Sequence, residues 1–243
     1  MNAYNTSINY LKALGISLMV LGHTRVNPQV IAFIYMFHMP LFFIASGYCF
    51  KEKYLSTPRK YIYNKVKGIY WPYLKWSLLF LLLHNVCFNL HLYSDQYGWK
   101  EYVSHLYAPS ELLGLATSII FKMQGHEQLL GGYWFMNALF FGSLIVWLVI
   151  RYVKQPLCRG AILIVICTFL NKTCWQIPFI NISSQAFAAA LLIYIGYSLA
   201  KYRIKPFNYW LIALSLSITL IGSFVWNMAM DQNSYSNKRF IPY

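Results

Sequence analysis

Charged residues are scarce in this sequence, and acidic residues are the scarcest of them. Only 11% of the 243 positions are charged, six of these residues are Asp or Glu, and 58% of the chain is hydrophobic. A soluble domain usually carries about 25% charged residues, so this shortage excludes an ordinary soluble globule. The hydrophobicity also excludes intrinsic disorder. The twenty Lys and Arg residues lie between long apolar runs, which is typical of a polytopic membrane protein rather than of a nucleic-acid-binding protein.

Several motifs that mark other classes of protein are also absent. The five cysteines form no CxxC pair, and there is no GxSxG, P-loop or GxGxxG sequence. Serine hydrolase and nucleotide-binding folds therefore lack their motifs. No pair of histidines combines with an acidic residue at the spacing of metal ligands. We predict neither a resident metal nor a bound cofactor, and we interpret the cysteines as small buried hydrophobic residues.

Seven apolar stretches are candidates for membrane spans, each judged against the ~20 residues that a bilayer helix needs. They cover residues 8–22, 30–50, 76–94, 128–150, 160–170, 186–200 and 206–230. Basic loops near residues 51–67, 151–159 and 201–205 alternate with connections that hold most of the acids, which predicts a cytoplasmic amino terminus. The prediction is one all-α domain over residues 1–243, a bundle of about seven transmembrane helices.

The longest connection, residues 95–127, faces outward in this arrangement. Ser110 precedes apolar Leu112, Leu113 and Leu115, a pattern that predicts a short capped helix at the membrane interface. Long loops often act as functional lids, and a plain surface loop is an equal alternative here.

Two ionisable residues of the first span lie on one face of a helix. Lys12 and His23 are eleven residues apart, so they differ by about 20° in direction and by ~16 Å along the axis. Lys12 near the cytoplasm could hold an anionic donor, and His23 could act as a base or a nucleophile. The alternative is that Lys12 extends to the interface and His23 ends the helix.

The second and third spans also carry histidines. His38 precedes Pro40, which should kink the helix, so we expect the His38 side chain to face the interior of the bundle. Ser46 and Gly47 are small enough for close helix packing, which explains them as well as a functional role does. His84, in the third span, is interpreted either as a core histidine paired with a neighbouring helix or as a functional group.

Four blocks of the first 150 residues resemble the membrane acyltransferase 3 family. The first is a basic residue, ten intervening residues and a histidine, which Lys12 and His23 reproduce. The second covers residues 37–48, with His38, Pro40 and Ser46. The third covers residues 59–73 and ends in Tyr-Trp-Pro-Tyr, and the fourth is the Gly-Tyr-Trp-Phe sequence of residues 132–135. The branch that the chain resembles most is that of fucose 4-O-acetylase and related O-acetyltransferases.

The resemblance implies transfer of an acetyl or other short acyl group from cytoplasmic acyl-CoA to a hydroxyl. The acceptors of such enzymes are usually sugars of the bacterial cell envelope or of exported glycans. The resemblance also implies that the chain is a multi-pass protein of the inner membrane. Catalysis would fall to His23, Lys12 and His38, while Ser46 and Trp134 would shape or polarise the site. The donor's phosphates would be bound by Lys12 and by the basic residues Arg59, Lys60, Lys65 and Lys67.

Family members usually have roughly ten spans, and this chain has room for seven. We therefore expect the chain to lack the last spans of the family. A transporter or a polysaccharide-export component is the strongest rival interpretation, and a structural membrane subunit is a third. The transporter interpretation predicts inverted repeats with paired broken helices, of which Pro40 marks a single example. Turnover of acyl-CoA separates the enzyme from both rivals.

Overall fold

The computed structural model describes residues 6–22, 24, 28–93, 105–125, 127–170, 175–177 and 180–202. These residues are mostly helical. The α-helices are α1 (Thr6–Gly22), α2 (Pro28–Tyr48), α3 (Lys53–Ser56), α4 (Pro58–Lys65), α5 (Trp71–Asn89), α6 (Pro109–Thr117), α7 (Trp134–Tyr152), α8 (Pro156–Leu170) and α9 (Ser184–Lys201). Single π-helical segments follow α4 (Val66–Tyr70) and α6 (Ser118–Lys122), and a 3₁₀ helix (Gln128–Tyr133) leads into α7.

Each apolar stretch of the sequence up to residue 200 coincides with a helix, and the stretch 206–230 lies outside the described residues. By length and composition, Trp134–Tyr152 is the one helix of the described chain that could cross a membrane. Ile8–Gly22, Phe33–Tyr48 and Pro156–Leu170 are apolar but shorter. The count of seven spans and the cytoplasmic amino terminus therefore stay predictions.

Two local features differ from the sequence predictions. Strands β1 (Trp175–Ile177) and β2 (Ile180–Ile182) form an antiparallel ribbon where an all-α fold was predicted. Their β-branched isoleucines favour an extended backbone. Helix α6 confirms the predicted short helix, but its N-cap is Ala108 and no side chain caps it, so Ser110 does not have the predicted role. Pro109 is the first residue of this helix. Proline is suited to that position because an N–H group there would have no hydrogen-bond acceptor within the helix.

The larger core is the bundle of α2, α7, α8 and α9, and small residues bring its backbones together. A Cβ on Gly47 of α2 would collide with the carbonyl of Ile193, and a Cβ on Gly196 of α9 would collide with the carbonyl of Ile44. A Cβ on Gly142 of α7 would lie 3.0 Å from the Ala186 carbonyl oxygen. The packing of Gly47 agrees with the close helix approach predicted for the Ser46–Gly47 pair.

The second core lies between α5 and the segment that contains α6. Tyr73, Leu81, Tyr107, Ile119 and Met123 are its buried residues. The Tyr70 hydroxyl donates to the carbonyl of Ile120 at 2.6 Å, which ties the π-helical segment after α6 to the start of α5. Phe140 of α7 packs against this core while other α7 residues pack into the bundle, so α7 joins the two regions.

Candidate functional site

Helices α1 and α2 are held against each other by small residues of α1. Gly15 faces the Phe42 ring, where an added Cβ would lie 2.8 Å from its tip. Gly22, the last residue of α1, faces Tyr35, where a Cβ would lie 2.7 Å from the ring. The Tyr35 hydroxyl donates to the Gly22 carbonyl at 3.0 Å. The end of α1 is therefore fixed beside the first half of α2.

His38 lies in the same place and is buried, as the sequence predicts. His38 is 3% exposed, and the centroid of its imidazole ring lies 5.1 Å from the centroid of the Tyr35 ring. The Nδ1 atom is 2.9 Å from the carbonyl oxygen of Ile34. Because a carbonyl only accepts hydrogen bonds, Nδ1 donates, and Nε2 is the basic nitrogen of the neutral ring. Tyr35 thus links the end of α1 to an imidazole of defined tautomer.

The two residues of the basic-residue and histidine signature are placed unequally. Lys12 is exposed on α1 and flanks the buried face formed by Ile8, Gly15 and Gly22. It lies ~15 Å along the helix axis from Gly22. His23, which follows Gly22 directly, lies outside the described residues. Their shared orientation therefore stays a prediction.

Trp134 is connected to α2 through aromatic rings. It is half-buried at the first position of α7 and meets Phe135 edge-to-face, with centroids 6.4 Å apart. Phe135 in turn packs against Phe43 at 5.0 Å and against Phe42 at 5.9 Å. Phe42 is one helical turn after His38. Ser46 lies a further turn along α2 and is half-buried. It is next to Gly47, where α2 contacts α9.

The predicted donor-binding bases lie on α4 and on the π-helical segment that follows it. Arg59, Lys60 and Lys67 are exposed, whereas Lys65 is half-buried with its Nζ atom 5.5 Å from the Tyr61 ring centroid. Burial lowers the pKa of Lys65 to about 8. These residues form a basic surface near one end of the bundle, on a different part of the chain from His38.

The basic surface is anchored to α7 by its aromatic residues. Tyr61 donates to the carbonyl of Ser143 at 2.9 Å and stacks on Trp147 with centroids 5.5 Å apart. The Trp147 indole N–H donates to the carbonyl of Tyr54 at 3.0 Å. Two bonds between distant parts of the chain therefore hold α3 and α4 in place.

Glu52, the acid nearest these bases in sequence, is paired elsewhere. Its Oε1 atom accepts from the Lys201 ammonium at 2.6 Å and from the Tyr197 hydroxyl at 2.7 Å. The hydrogen bond from Lys201 is the main cause that lowers the pKa of Glu52. Because Glu52 is engaged at the end of α9, it does not neutralise Arg59 or Lys60.

Sequence reasoning left His84 open and missed its partner, Glu127. The two side chains are buried and hydrogen-bonded, with Nδ1 and Oε2 3.0 Å apart. Glu127 lies 43 residues further along the chain, so no local spacing relates the two. The signal in the sequence was an acidic residue in an otherwise uncharged stretch, because Glu127 stands shortly before the Gly-Tyr-Trp-Phe sequence of residues 132–135. A buried acid of this kind needs a partner.

A family model described as an acyltransferase domain matches residues 5–242, which is nearly the whole chain. The chain belongs to the membrane acyltransferase 3 family. Membership makes it an acyltransferase of a family of membrane proteins. No curated protein and no solved structure matches it. The fucose 4-O-acetylase branch stays a prediction, as do the roles of Lys12, His23, His38, Ser46, Trp134, Arg59, Lys60, Lys65 and Lys67.

Proposed function

We propose that this acyltransferase moves an acetyl or other short acyl group from cytoplasmic acyl-CoA to a hydroxyl of a cell-envelope or exported glycan. The family match over residues 5–242 is the observation that carries the proposal. Acetyl-CoA acts as a co-substrate rather than as a resident cofactor, and the protein works as a multi-pass protein of the inner membrane.

The geometry supports a division of labour between two places. The exposed bases Arg59, Lys60 and Lys67, with half-buried Lys65, form a surface that suits the phosphates of the donor. Lys12 adds a further cation on α1. At the junction of α1 and α2, buried His38 lies beside Tyr35, which holds the residue before His23. We assign to His23 the role of the group that removes the proton of the acceptor hydroxyl or carries the acyl group.

The remaining predicted residues shape the acceptor side. Trp134 connects through Phe135 to the part of α2 just after Pro40, so its ring lies at the α2–α7 contact. Aromatic rings are suited to the apolar faces of sugars because they offer a large flat surface at low entropic cost. Ser46 lies on α2 in the same half of the helix and can polarise a bound hydroxyl.

The test uses membranes that contain the chain, incubated with radiolabelled acetyl-CoA and envelope glycans of the producing cell. Wild type is compared with His23→Ala and His38→Ala, each checked for equal insertion into the membrane. His91→Asn is the control, because His91 is exposed and its backbone has a φ of 54°, which Asn tolerates.

We expect label in glycan with wild type and with His91→Asn, and a loss of about 100-fold or more with His23→Ala. Equal labelling by wild type and His23→Ala would keep the enzyme but remove His23 from its centre. Absence of label from every variant, with donor and glycans of verified quality, would overturn the proposed reaction.

A further inference from the structure

The His84–Glu127 pair is the most completely buried contact between a basic and an acidic side chain in the described part of the chain. The side chains of His84 and Glu127 are 0% and 1% exposed. Nδ1 of His84 lies 3.0 Å from one carboxylate oxygen and 3.2 Å from the other. Nε2 of the same ring is 3.3 Å from the carbonyl oxygen of His105. Both ring nitrogens therefore face acceptor groups.

The carbonyl oxygen of His105 can only accept a hydrogen bond, so Nε2 of His84 donates to it. One proton then lies between Nδ1 of His84 and the Glu127 carboxyl group. Glu127 accepts a second hydrogen bond from the Tyr93 hydroxyl, at 2.7 Å from Oε2. A histidine and a carboxyl group that are hydrogen-bonded to each other and removed from solvent are costly to separate by changing one side only, because the group left behind stays buried without its partner.

Segments that are distant in sequence converge on this pair. The Tyr107 ring stacks on the imidazole with centroids 3.5 Å apart and an interplanar angle of 11°. Asn85, the neighbour of His84, exchanges two hydrogen bonds with the backbone of Tyr107, at 3.0 and 2.8 Å. The pair thus fixes residues 93, 105–107 and 127 to the end of α5.

Glu127 is also the N-cap residue of the 3₁₀ helix that leads to Trp134. At the other end of that 3₁₀ helix, the Tyr133 ring packs against Tyr73 of α5 with centroids 5.5 Å apart. The connecting segment is therefore attached to α5 at both ends, by the His84–Glu127 contact and by an aromatic contact. Trp134 follows directly, so the position of its side chain depends on both attachments.

We propose that His84 and Glu127 are positioning residues for acyl transfer, acting by fixing the segment that presents Trp134 to the acceptor. The activity part of this inference rests on the proposed function. The bases proposed to bind the donor lie on α1, on α4 and on the π-helical segment that follows α4, and none of them contacts the pair. Loss of the pair should therefore weaken acceptor binding and leave donor binding nearly unchanged, whereas general damage to the protein would weaken both.

The kinetic test compares Glu127→Gln and His84→Gln with Glu111→Gln. Glu111 makes the same kind of contact with a histidine, His105, at the same 3.0 Å, but on the surface. We expect the acceptor KM to rise about 10- to 100-fold in the two buried variants, with the donor KM within about twofold of wild type. Parallel changes in both KM values, or no change, would overturn the positioning role.

A second measurement needs neither donor nor acceptor. Cys87 lies three residues after His84 on α5 and is 8% exposed. In a detergent-solubilised chain whose other cysteines are replaced by serine, its reaction with a maleimide reports opening of the segment packed against α5. We expect labelling to accelerate on the order of 100-fold in Glu127→Gln and to be unchanged in Glu111→Gln.

The two measurements separate the two proposals. Faster labelling of Cys87 in Glu127→Gln, with no acetyl transfer by wild type, would support the attachment while the proposed reaction fails. Unchanged labelling would overturn the attachment, even where wild type transfers acetyl groups at a normal rate.

Discussion

The bundle region (α2, α7, α8 and α9) and the α5–α6 region are held together by different forces. In the bundle, glycines and alanines let the backbones approach closely, and the buried cluster around them is apolar. In the α5–α6 region, a smaller apolar core is supplemented by the buried His84–Glu127 contact and the hydrogen bonds around it, which connect segments that have little regular structure. Close packing is sensitive to added volume, whereas a buried polar cluster is sensitive above all to the loss of a hydrogen-bond donor or acceptor.

The largest effect should follow from adding one methyl group to the bundle. In Gly47→Ala the new Cβ would collide with the Ile193 carbonyl, and in Gly196→Ala with the Ile44 carbonyl. These are backbone atoms, so α2 and α9 must separate along their length. We expect a loss of about 3 kcal/mol or more, seen as a lower apparent melting temperature in detergent.

Gly114→Ala is the matched control for that substitution. Gly114 lies inside α6, and nothing is within 4 Å of the position of its Cβ. Alanine should stabilise this helix by roughly 0.5–1 kcal/mol. Equal melting temperatures for Gly47→Ala and Gly114→Ala would show that the contact between α2 and α9 accommodates an added methyl group, and this would contradict the close packing.

The second effect concerns the polar cluster. Tyr93→Phe keeps the ring but removes the hydroxyl that donates to Glu127. Hydrogen bonds to charged groups contribute about 1.5–3 kcal/mol, so we expect a loss in that range. Hydrogen–deuterium exchange should become faster in α5 and α6 and stay unchanged in α8 and α9, which belong to the bundle alone.

Tyr10→Phe is the control for Tyr93→Phe, because Tyr10 is 73% exposed on α1. Faster exchange across the bundle as well would mean that the two regions unfold as one unit, and the contrast between them would then be lost.

The third effect lies where α4 meets α7. Below the pKa of Lys65, which burial lowers to about 8, the ammonium is charged and can bind the donor's phosphates. Above that pH it becomes neutral. Donor KM should therefore rise up to about tenfold between about pH 7 and pH 9, since only a tenth of the groups stay charged one unit above the pKa.

Lys65→Arg should remove this pH dependence, because the guanidinium stays charged throughout. Lys60→Arg, at an exposed position, should leave the dependence intact. The measurement is the donor KM of the wild type and of both variants between about pH 7 and pH 9. The same slope in wild type and in Lys65→Arg would show that another group governs donor binding.

The two regions also differ in how much of them the sequence predicts. Apolar runs locate α1, α2, α5, α7, α8 and α9, because helix length and hydropathy are local properties. The burial of His38 follows from its place beside Pro40 inside an apolar span. Gly47 is expected at a helix contact because small residues permit one.

The α5–α6 region is poorly predicted because its contacts are not local. His84 and Glu127 are 43 residues apart, and neither lies in a motif that announces the other. The ribbon before α9 has only three residues in each strand, too few for a clear alternating pattern. In the candidate site, the Tyr35–Gly22 hydrogen bond depends on the angle between α1 and α2, which no residue spacing encodes.

The smallest effect should come from the surface counterpart of the buried pair. His105 and Glu111 are also 3.0 Å apart, but their side chains are 52% and 37% exposed. Water solvates both groups when the contact opens, so Glu111→Gln should cost less than about 1 kcal/mol, and less still in high salt. Glu127→Gln alters a contact of equal length that water cannot replace. Melting temperatures that fall equally in the two variants would show that distance, rather than burial, sets the strength of these pairs. The polar cluster would then not be the main source of stability in the α5–α6 region.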